Sequence, residues 1–309
     1  MTLLLAYTLT YGFILMTVAF GGMISERSGV INLSLEGTMV VGGLAGTLCL
    51  KYMSGSDFSI CAVSIMMSVL AGILFSLLLA IASVTFNADQ TLVGTALNML
   101  AVSACTVAVK AINLKENPSD SSSVVEFVKN RLSVFIVTGK SGISIIIIVA
   151  LIMLVAVAFI MNKTPFGLRL IACGEHPHAV DSVGVSVRRM RYAGVMMSGA
   201  LGGIGGFACI TASVSEWDFS FGVSGFGFLA LAVMIFGNWR PLPIVLSAMV
   251  FGLFRALSNV YTGIPFFESL GLSSTVYNIL PYVMCLVVLS IFSARSRAPK
   301  AEGIPYIKV

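Results

Sequence analysis

The sequence predicts an all-α polytopic membrane protein with about nine transmembrane helices in a single transmembrane domain over residues 1–309. Hydrophobic residues make up 58% of the chain and charged residues only 10%. A soluble domain carries about 25% charged residues. Mean hydropathy is +1.01. Because a soluble protein must cover its surface with polar groups, this composition excludes a soluble enzyme, a disordered chain and a nucleic-acid-binding protein.

Continuous apolar runs favour helices over a β-barrel, whose strands alternate polar and apolar residues. The run SIIIIVALIMLVAVAFIM (144–161) is typical, and the chain's 30 glycines suit close helix packing. Seven segments have the length of a bilayer span, namely 3–22, 62–84, 92–111, 142–162, 193–213, 242–260 and 275–294.

Two further apolar segments, 36–50 and 224–237, are short. The first follows a glycine-containing stretch, and the second contains glycines itself. They complete the predicted nine spans. Irregular backbone at membrane depth is tolerated only where protein or a water-filled cavity covers it. Interrupted spans in both halves of a chain are therefore a pointer to a transport pathway.

The distribution of Lys and Arg predicts the orientation in the membrane. These residues concentrate in the segment 163–192 and in the tail after 294, so both are expected in the cytoplasm. The protein is then expected in the cytoplasmic membrane. Nine spans place its N-terminus outside the cell and its C-terminus in the cytoplasm. The polar insert 112–141 becomes an external loop.

No catalytic, nucleotide-binding or metal-binding motif is convincing. The stretch TGKS (138–141) lacks the earlier P-loop glycine, because that position is Val134. His176 and His178 flank a proline without a third ligand at metal-binding spacing. The sequence therefore predicts no metal or cofactor bound by this chain, and any ATP used in transport must be bound by another chain.

The segment 163–192 is too polar to span a membrane and too patterned for a plain linker. Pro165 and Gly167 break the preceding helix, and HPHAVDSVG predicts a short amphipathic helix ended by Gly184. Such a helix suits docking into a groove of another protein, although a connecting loop stays possible. Three arginines are expected to anchor the following span at the anionic inner leaflet: Arg188, Arg189 and Arg191.

Polar residues inside predicted spans are costly and usually face the protein interior. The candidates, for which structural roles and substrate contact are both open, are Asn32, Glu36, Asn98, Arg255 and Asn278. Glu36 could cap backbone N–H groups of a broken helix. Arg255 could instead snorkel toward the outer face.

Four stretches carry a resemblance to a known family: SERSGVINLSLEGTMVVGG (25–43), NADQTLVGTALNML (87–100), residues 164–206, and GFGFLALAVMIFGNWRPL (225–242). Over nearly its whole length the chain resembles the permeases of ABC importers in the branched-chain amino acid/ribose/galactose family. It is most similar to the nucleoside subgroup that works with basic-membrane-lipoprotein-type binding proteins.

This resemblance implies a set of partners. Two permease chains, this one and a longer related one, would enclose the pathway, and a lipid-anchored binding protein would deliver a nucleoside from outside. Two cytoplasmic ATPase subunits would use ATP and Mg, and no nucleic acid is involved. The residues expected to couple this chain to the ATPase are Gly174, Glu175, His176, Pro177 and Asp181.

For the pathway itself the resemblance adds nucleosides as substrate. Phe226 and Phe228 could stack on a nucleobase, since every base has a π-face. The expected pathway residues are Asn32, Glu36, Asn98, Phe226 and Phe228.

Three alternatives remain open at this stage. The first is an ABC permease for a simple sugar or a branched-chain amino acid. The second is an ion-coupled secondary transporter, which would need intramembrane carboxylates, whereas Glu36 is the only acidic residue near a span interior. The third is an intramembrane enzyme, for which no nucleophile–base pair is visible.

Overall fold

The computed structural model describes residues 2–127, 145–212, 215–261, 273–292 and 297–307, and these are mostly helical. The TGKS stretch and the end of the insert 112–141 lie outside the described residues. The helices are α1 (Thr2–Arg27), α2 (Leu35–Tyr52), α3 (Asp57–Ala80, continued by a π-helical turn to Thr85), α4 (Gln90–Glu116), α5 (Ile145–Lys163), α6 (Pro165–Glu175), α7 (Pro177–Ser182), α8 (Val187–Thr211), α9 (Phe226–Phe236), α10 (Pro241–Val260) and α11 (Ser274–Phe292). Two short strands are β1 (Val124–Glu126) and β2 (Glu216–Asp218).

The predicted helical membrane fold is confirmed. Within the described ranges, five helices are long and apolar enough to cross a bilayer: Leu4–Arg27, Asp57–Thr85, Gln90–Glu116, Val187–Thr211 and Pro241–Val260. The pair α5 and α6, bent by 69° at their junction, would be a sixth if counted as one span. The two segments predicted to be short form α2 and α9, and α9 has only 11 residues. The total of nine spans stays a prediction.

Helix α4 is longer than its apolar run predicts, because polar contacts extend both ends. The Asp89 carboxylate accepts hydrogen bonds from Thr91 N and Leu92 N at 2.8 and 3.0 Å, which caps the first turn. At the other end Glu116 pairs with Lys51 of α2 at 2.7 Å. The start of the predicted insert 112–141 is therefore helical.

Glycines let α8 pack against α2 and α3 backbone to backbone. A Cβ atom on Gly206 would lie 1.9 Å from Met39 O of α2. On Gly203 it would lie 2.2 Å from Ser68 O of α3. Since no side chain fits at these positions, the interface depends on small residues, as is common between membrane helices.

The bundle has two ends that differ in what they carry. At one end β1 pairs antiparallel with β2, with Val124 opposite Asp218. We call this the sheet end. At the other, α6 and α7 lie beside the C-terminal residues 297–307, since Ala301 N donates to Gly174 O at 2.8 Å. We call this the tail end.

Candidate functional site

The chain between α1 and α2, residues 28–34, is not helical and is held by buried polar groups. The amide of Asn32 donates to Ser198 Oγ of α8 at 2.8 Å and accepts from Ser34 N at 3.1 Å. Asn32 is fully buried. Because irregular backbone at membrane depth needs internal partners, Asn32 fixes this break against α8.

Helix α4 supplies further partners to the same break. Asn98 donates from Nδ2 to Leu33 O at 2.8 Å and accepts at Oδ1 from Gly37 N at 2.7 Å. The side-chain oxygen of Gln90 accepts from Ile31 N at 2.7 Å. Two amide side chains of α4 thus satisfy backbone groups within the break and in the first turn of α2.

Glu36 joins the two short helices. Its Oε1 accepts from Gly225 N at 2.8 Å, and its Oε2 accepts from Gly227 N at 2.7 Å. These N–H groups lie at the start of α9, where a helix has unpaired donors and a partial positive charge. A Cβ on Gly227 would lie 2.4 Å from Glu36 N, so α9 begins directly on the first turn of α2.

A cleft of about 430 Å³ opens beside the start of α9. Arg255 lines this cleft, and its guanidinium carbon lies 5.0 Å from the ring centroid of Phe226. The Phe226 ring also packs against Tyr11, with centroids 5.8 Å apart. The lining residues are Ser224, Arg255, Thr275, Ile279 and Tyr282.

The five predicted pathway residues lie at the break between α1 and α2 or in the first turn of α9. Asn32 and Asn98 hold the break, Glu36 caps α9, and Phe226 follows Gly225. Phe226 is only 2% exposed, whereas Phe228 is 49% exposed. Stacking of a base between these two rings would therefore need one of them to move, and substrate contact by all five stays a prediction.

The sequence did not point to the cleft as a unit. The sequence indicates Arg255 alone, because a charged residue within an apolar span must face protein or a water-filled cavity. Tyr282 lies within α11 among apolar residues, and its pairing through Oη with Ser224 O at 2.5 Å is a contact 58 residues apart. No local pattern announces such a contact.

Comparison with known proteins identifies the family of the chain. The family described as "Branched-chain amino acid transport system / permease component" matches residues 4–289. The chain belongs to this permease family. No solved structure matches it.

Relatives align with the permease over its full length. It is 39% identical to the guanosine ABC transporter permease protein NupQ of Bacillus subtilis, over 100% of this chain and 97% of NupQ. It is 35% identical to the nucleoside ABC transporter permease protein NupC of Lactococcus lactis, over 99% of this chain and 97% of NupC. NupP, a guanosine ABC transporter permease protein of B. subtilis, is 26% identical over 87% of this chain and 76% of NupP.

At the tail end, the segment 163–192 forms two helices and not one loop. The hydroxyl of Thr164 accepts from Gly167 N at 3.1 Å and caps α6. Pro165 occupies the first turn, where its missing N–H costs nothing. The short helix predicted from HPHAVDSVG is present as α7, and Gly184 follows it with φ of 82°.

The five predicted coupling residues of the permease divide into two groups. Gly174 is buried, and a Cβ there would lie 2.3 Å from Arg27 O. Glu175 lies 4.0 Å from the Arg27 guanidinium. These contacts fasten α6 to the end of α1. His176 is exposed and Pro177 is half-buried, so these two side chains lie at the surface of the described chain.

Asp181 and the exposed end of α7 complete this region. Asp181 hydrogen-bonds to Tyr306 of the tail, and the His178 ring lies 5.2 Å from the Tyr306 ring. Val183, just after the helix, is 75% exposed. The helix α7 therefore packs on the tail and, through the buried Val180, on α6 and α8, while Val183 just beyond it is exposed.

The tail itself connects three parts of the permease, which the sequence did not suggest. Ala301 N donates to Gly174 O of α6, and Gly303 N donates to Gly29 O in the break at 3.3 Å. Arg191 of α8 donates from Nη1 to Ile304 O at 2.9 Å. The tail is thus a bridge between α6, the break and α8.

The expectation that Arg191 anchors α8 at the lipid headgroups is wrong. Arg191 is 1% exposed, and its Nη2 would lie 2.9 Å from a Cβ on Gly29. The residue points inward because the tail covers it. Arg188 and Arg189 are exposed, as an anchoring role requires.

A cluster of polar groups closes the tail end. The Glu26 carboxylate accepts from Trp239 Nε1 at 2.6 Å, and Trp239 O accepts from Arg27 Nη2 at 3.0 Å. Burial raises the pKa of Glu302, on the tail, to about 7. The end of α1, the turn before α10 and the tail therefore share one polar contact region.

Proposed function

We propose that this permease is the transmembrane subunit of an ATP-driven ABC importer for nucleosides. The observation that carries the proposal is its full-length similarity to two proteins named as guanosine and nucleoside ABC transporter permeases. The chain performs no chemistry of its own. It forms half of a substrate pathway and transmits the movement of a separate ATPase.

The proposal includes an orientation. Nine spans would place the sheet end outside and the tail end in the cytoplasm, with the N-terminus outside. The concentration of Lys and Arg in 163–192 and after 294 supports this arrangement. The bulk of the insert 112–141 would then lie on the side from which a binding protein delivers substrate.

The cleft around Arg255 is proposed as part of the pathway. A charge within a membrane span must face protein or a water-filled cavity, because hydrocarbon solvates it poorly. Arg255 lies on the half of α10 away from the tail end and lines the open cleft with Ser224 and Tyr282. Asn32, Glu36 and Asn98 would hold the broken helices that shape this pathway.

The contacts also suggest how ATPase movement would reach the pathway. A partner ATPase, which would bind ATP and Mg, would dock at the exposed side of α7 around His176 and Pro177. Movement of α6 would pass to the break through the Gly174–Arg27 contact and the tail. From the break it would pass to α9, because Glu36 bonds directly to Gly227 N.

Two further partners belong to the proposal. A second permease chain is supported by the names of relatives, since B. subtilis has both NupQ and NupP, and L. lactis has both NupC and NupB. A substrate-binding lipoprotein would supply the nucleoside. The pathway would then lie between two permeases of related sequence.

Uptake by the assembled complex tests this function. Proteoliposomes containing the permease, its second permease, the ATPase and the lipoprotein should accumulate radiolabelled nucleosides only with hydrolysable ATP. Labelled glucose and leucine test the sugar and amino-acid alternatives in parallel. Accumulation of glucose or leucine but of no nucleoside would refute the proposed substrate class. Uptake that needs no ATP and is driven by a proton gradient would refute the ABC mechanism.

A further inference from the structure

Arg255 is an intramembrane cation without an anionic partner in the part of the chain that the structure describes. The ion pairs found there are Arg27 with Glu175 and Lys51 with Glu116. The Nε atom of Arg255 is buried and makes no hydrogen bond within the described ranges. Arg255 is half-buried, and a buried guanidinium N–H without an acceptor is costly, so its presence at a cleft calls for a ligand that supplies acceptors.

The surroundings of Arg255 hold the charge but leave donors available. The Phe226 ring lies 5.0 Å from the guanidinium carbon and stabilises the positive charge by a cation–π contact. The ring offers no oxygen or nitrogen acceptor, so this contact forms no conventional hydrogen bond with the five N–H groups of the guanidinium. The guanidinium is planar, and its donors form a fork that fits two acceptors side by side.

We propose that Arg255 recognises the base of the transported nucleoside by donating two parallel hydrogen bonds to adjacent acceptors. Guanine and hypoxanthine present such a pair at O6 and N7, and cytosine presents one at O2 and N3. Adenine and uracil have no two adjacent acceptors, because the amino group separates N7 from N1 and a C–H separates N1 from N3 in adenine, and N3–H separates O2 from O4 in uracil. The inference rests on the proposed nucleoside transport and adds a preference within that substrate class.

The rest of the cleft fits a polar, hydrogen-bonding ligand. Tyr282 donates to Ser224 O and so fixes the loop before α9 to α11. Thr275 adds a hydroxyl and Ile279 an apolar side chain to the lining. A volume of about 430 Å³ is within the usual range for a small-molecule site.

Two pairs of nucleosides test the proposal, because the members of each pair are nearly equal in size. Inosine has the adjacent acceptors that adenosine lacks, and cytidine has those that uridine lacks. Uptake of all four is measured in proteoliposomes with the complete complex and the same lipoprotein for every variant. The lipoprotein's own preference is then constant, and the change between variants reports on Arg255.

Arg255→Lys keeps the charge but removes the two-pronged donor, so it should lower the inosine-to-adenosine and cytidine-to-uridine uptake ratios by about tenfold. Adenosine and uridine uptake should be largely retained. Arg188→Gln is the control, because Arg188 is exposed and outside the cleft. It should leave both ratios unchanged.

An equal loss of all four nucleosides in Arg255→Lys would show a purely structural cation and would overturn the proposal. If that variant fails to reach the membrane, Phe226→Leu serves instead, since it keeps the arginine but removes its ring support. It should lower the same two ratios, and unchanged ratios would overturn the proposal. A wild-type complex that imports no nucleoside would refute the proposed function, whereas nucleoside import with unchanged ratios would refute base recognition alone.

Discussion

Replacing Glu36 by Gln separates its two candidate roles, that of a helix cap and that of a substrate contact. In the structure both carboxylate oxygens accept backbone N–H groups of α9, from Gly225 at 2.8 Å and Gly227 at 2.7 Å. Hydrogen bonds to a charged acceptor contribute about 1.5–3 kcal/mol each, and an unsatisfied buried N–H costs about 1–3 kcal/mol. Gln keeps one acceptor and places an NH₂ group against the other donor, so we expect a loss of about 2–4 kcal/mol.

The measurement is thermal unfolding of the purified permease in detergent, followed through the fraction that stays monodisperse after heating. Glu116→Gln is the matched control: the same substitution at a more exposed carboxylate in a surface pair with Lys51, which should change the unfolding temperature little. Glu36→Gln should unfold several degrees lower than both the wild type and the control. Unfolding at the wild-type temperature together with loss of uptake would refute the cap and favour direct substrate contact.

Three further outcomes are expected. Changing His176 to Asp and Pro177 to Gly should abolish uptake and reduce copurification of the ATPase at normal membrane abundance; normal uptake and copurification would mean that α7 is only a connection. In a background without native cysteines, Ser121→Cys should react with an impermeant maleimide in intact cells and Ser182→Cys should not, and the reverse pattern would invert the topology. Because burial raises the pKa of Glu302 from 4.5 to about 7, the folded state holds a proton that the unfolded state releases between these values. Thermal stability should therefore fall as pH rises through that window, and this fall should become shallower in Glu302→Gln; an unchanged slope would contradict this.

Hydropathy and glycine placement predicted much of the fold. The apolar runs correspond to long helices, and the two interrupted segments correspond to α2 and α9. The end of α4 was underestimated because the Lys51–Glu116 contact extends it, and that contact joins residues 65 apart. Hydropathy reports how apolar a segment is, whereas helix ends are decided by caps and distant partners.

The partners of the candidate polar residues were not predictable. Asn32 bonds to Ser198, a residue 166 positions away, and Glu36 bonds to Gly225, 189 positions away. The cost of a polar group in a span shows that it must have a partner, but not which one. The burial of Arg191 is unpredictable for a similar reason, because it depends on contact with a tail more than 100 residues later in the chain.

The tail's connections have a practical consequence for mutagenesis. Ala301 and Gly303 bind α6 and the break through their main-chain N–H groups. An alanine scan leaves those donors intact, and sequence covariation has no side-chain pair to detect there. Both approaches would pass over these two main-chain contacts. Proline at either position removes the donor itself, so only a backbone substitution makes the contact genetically visible.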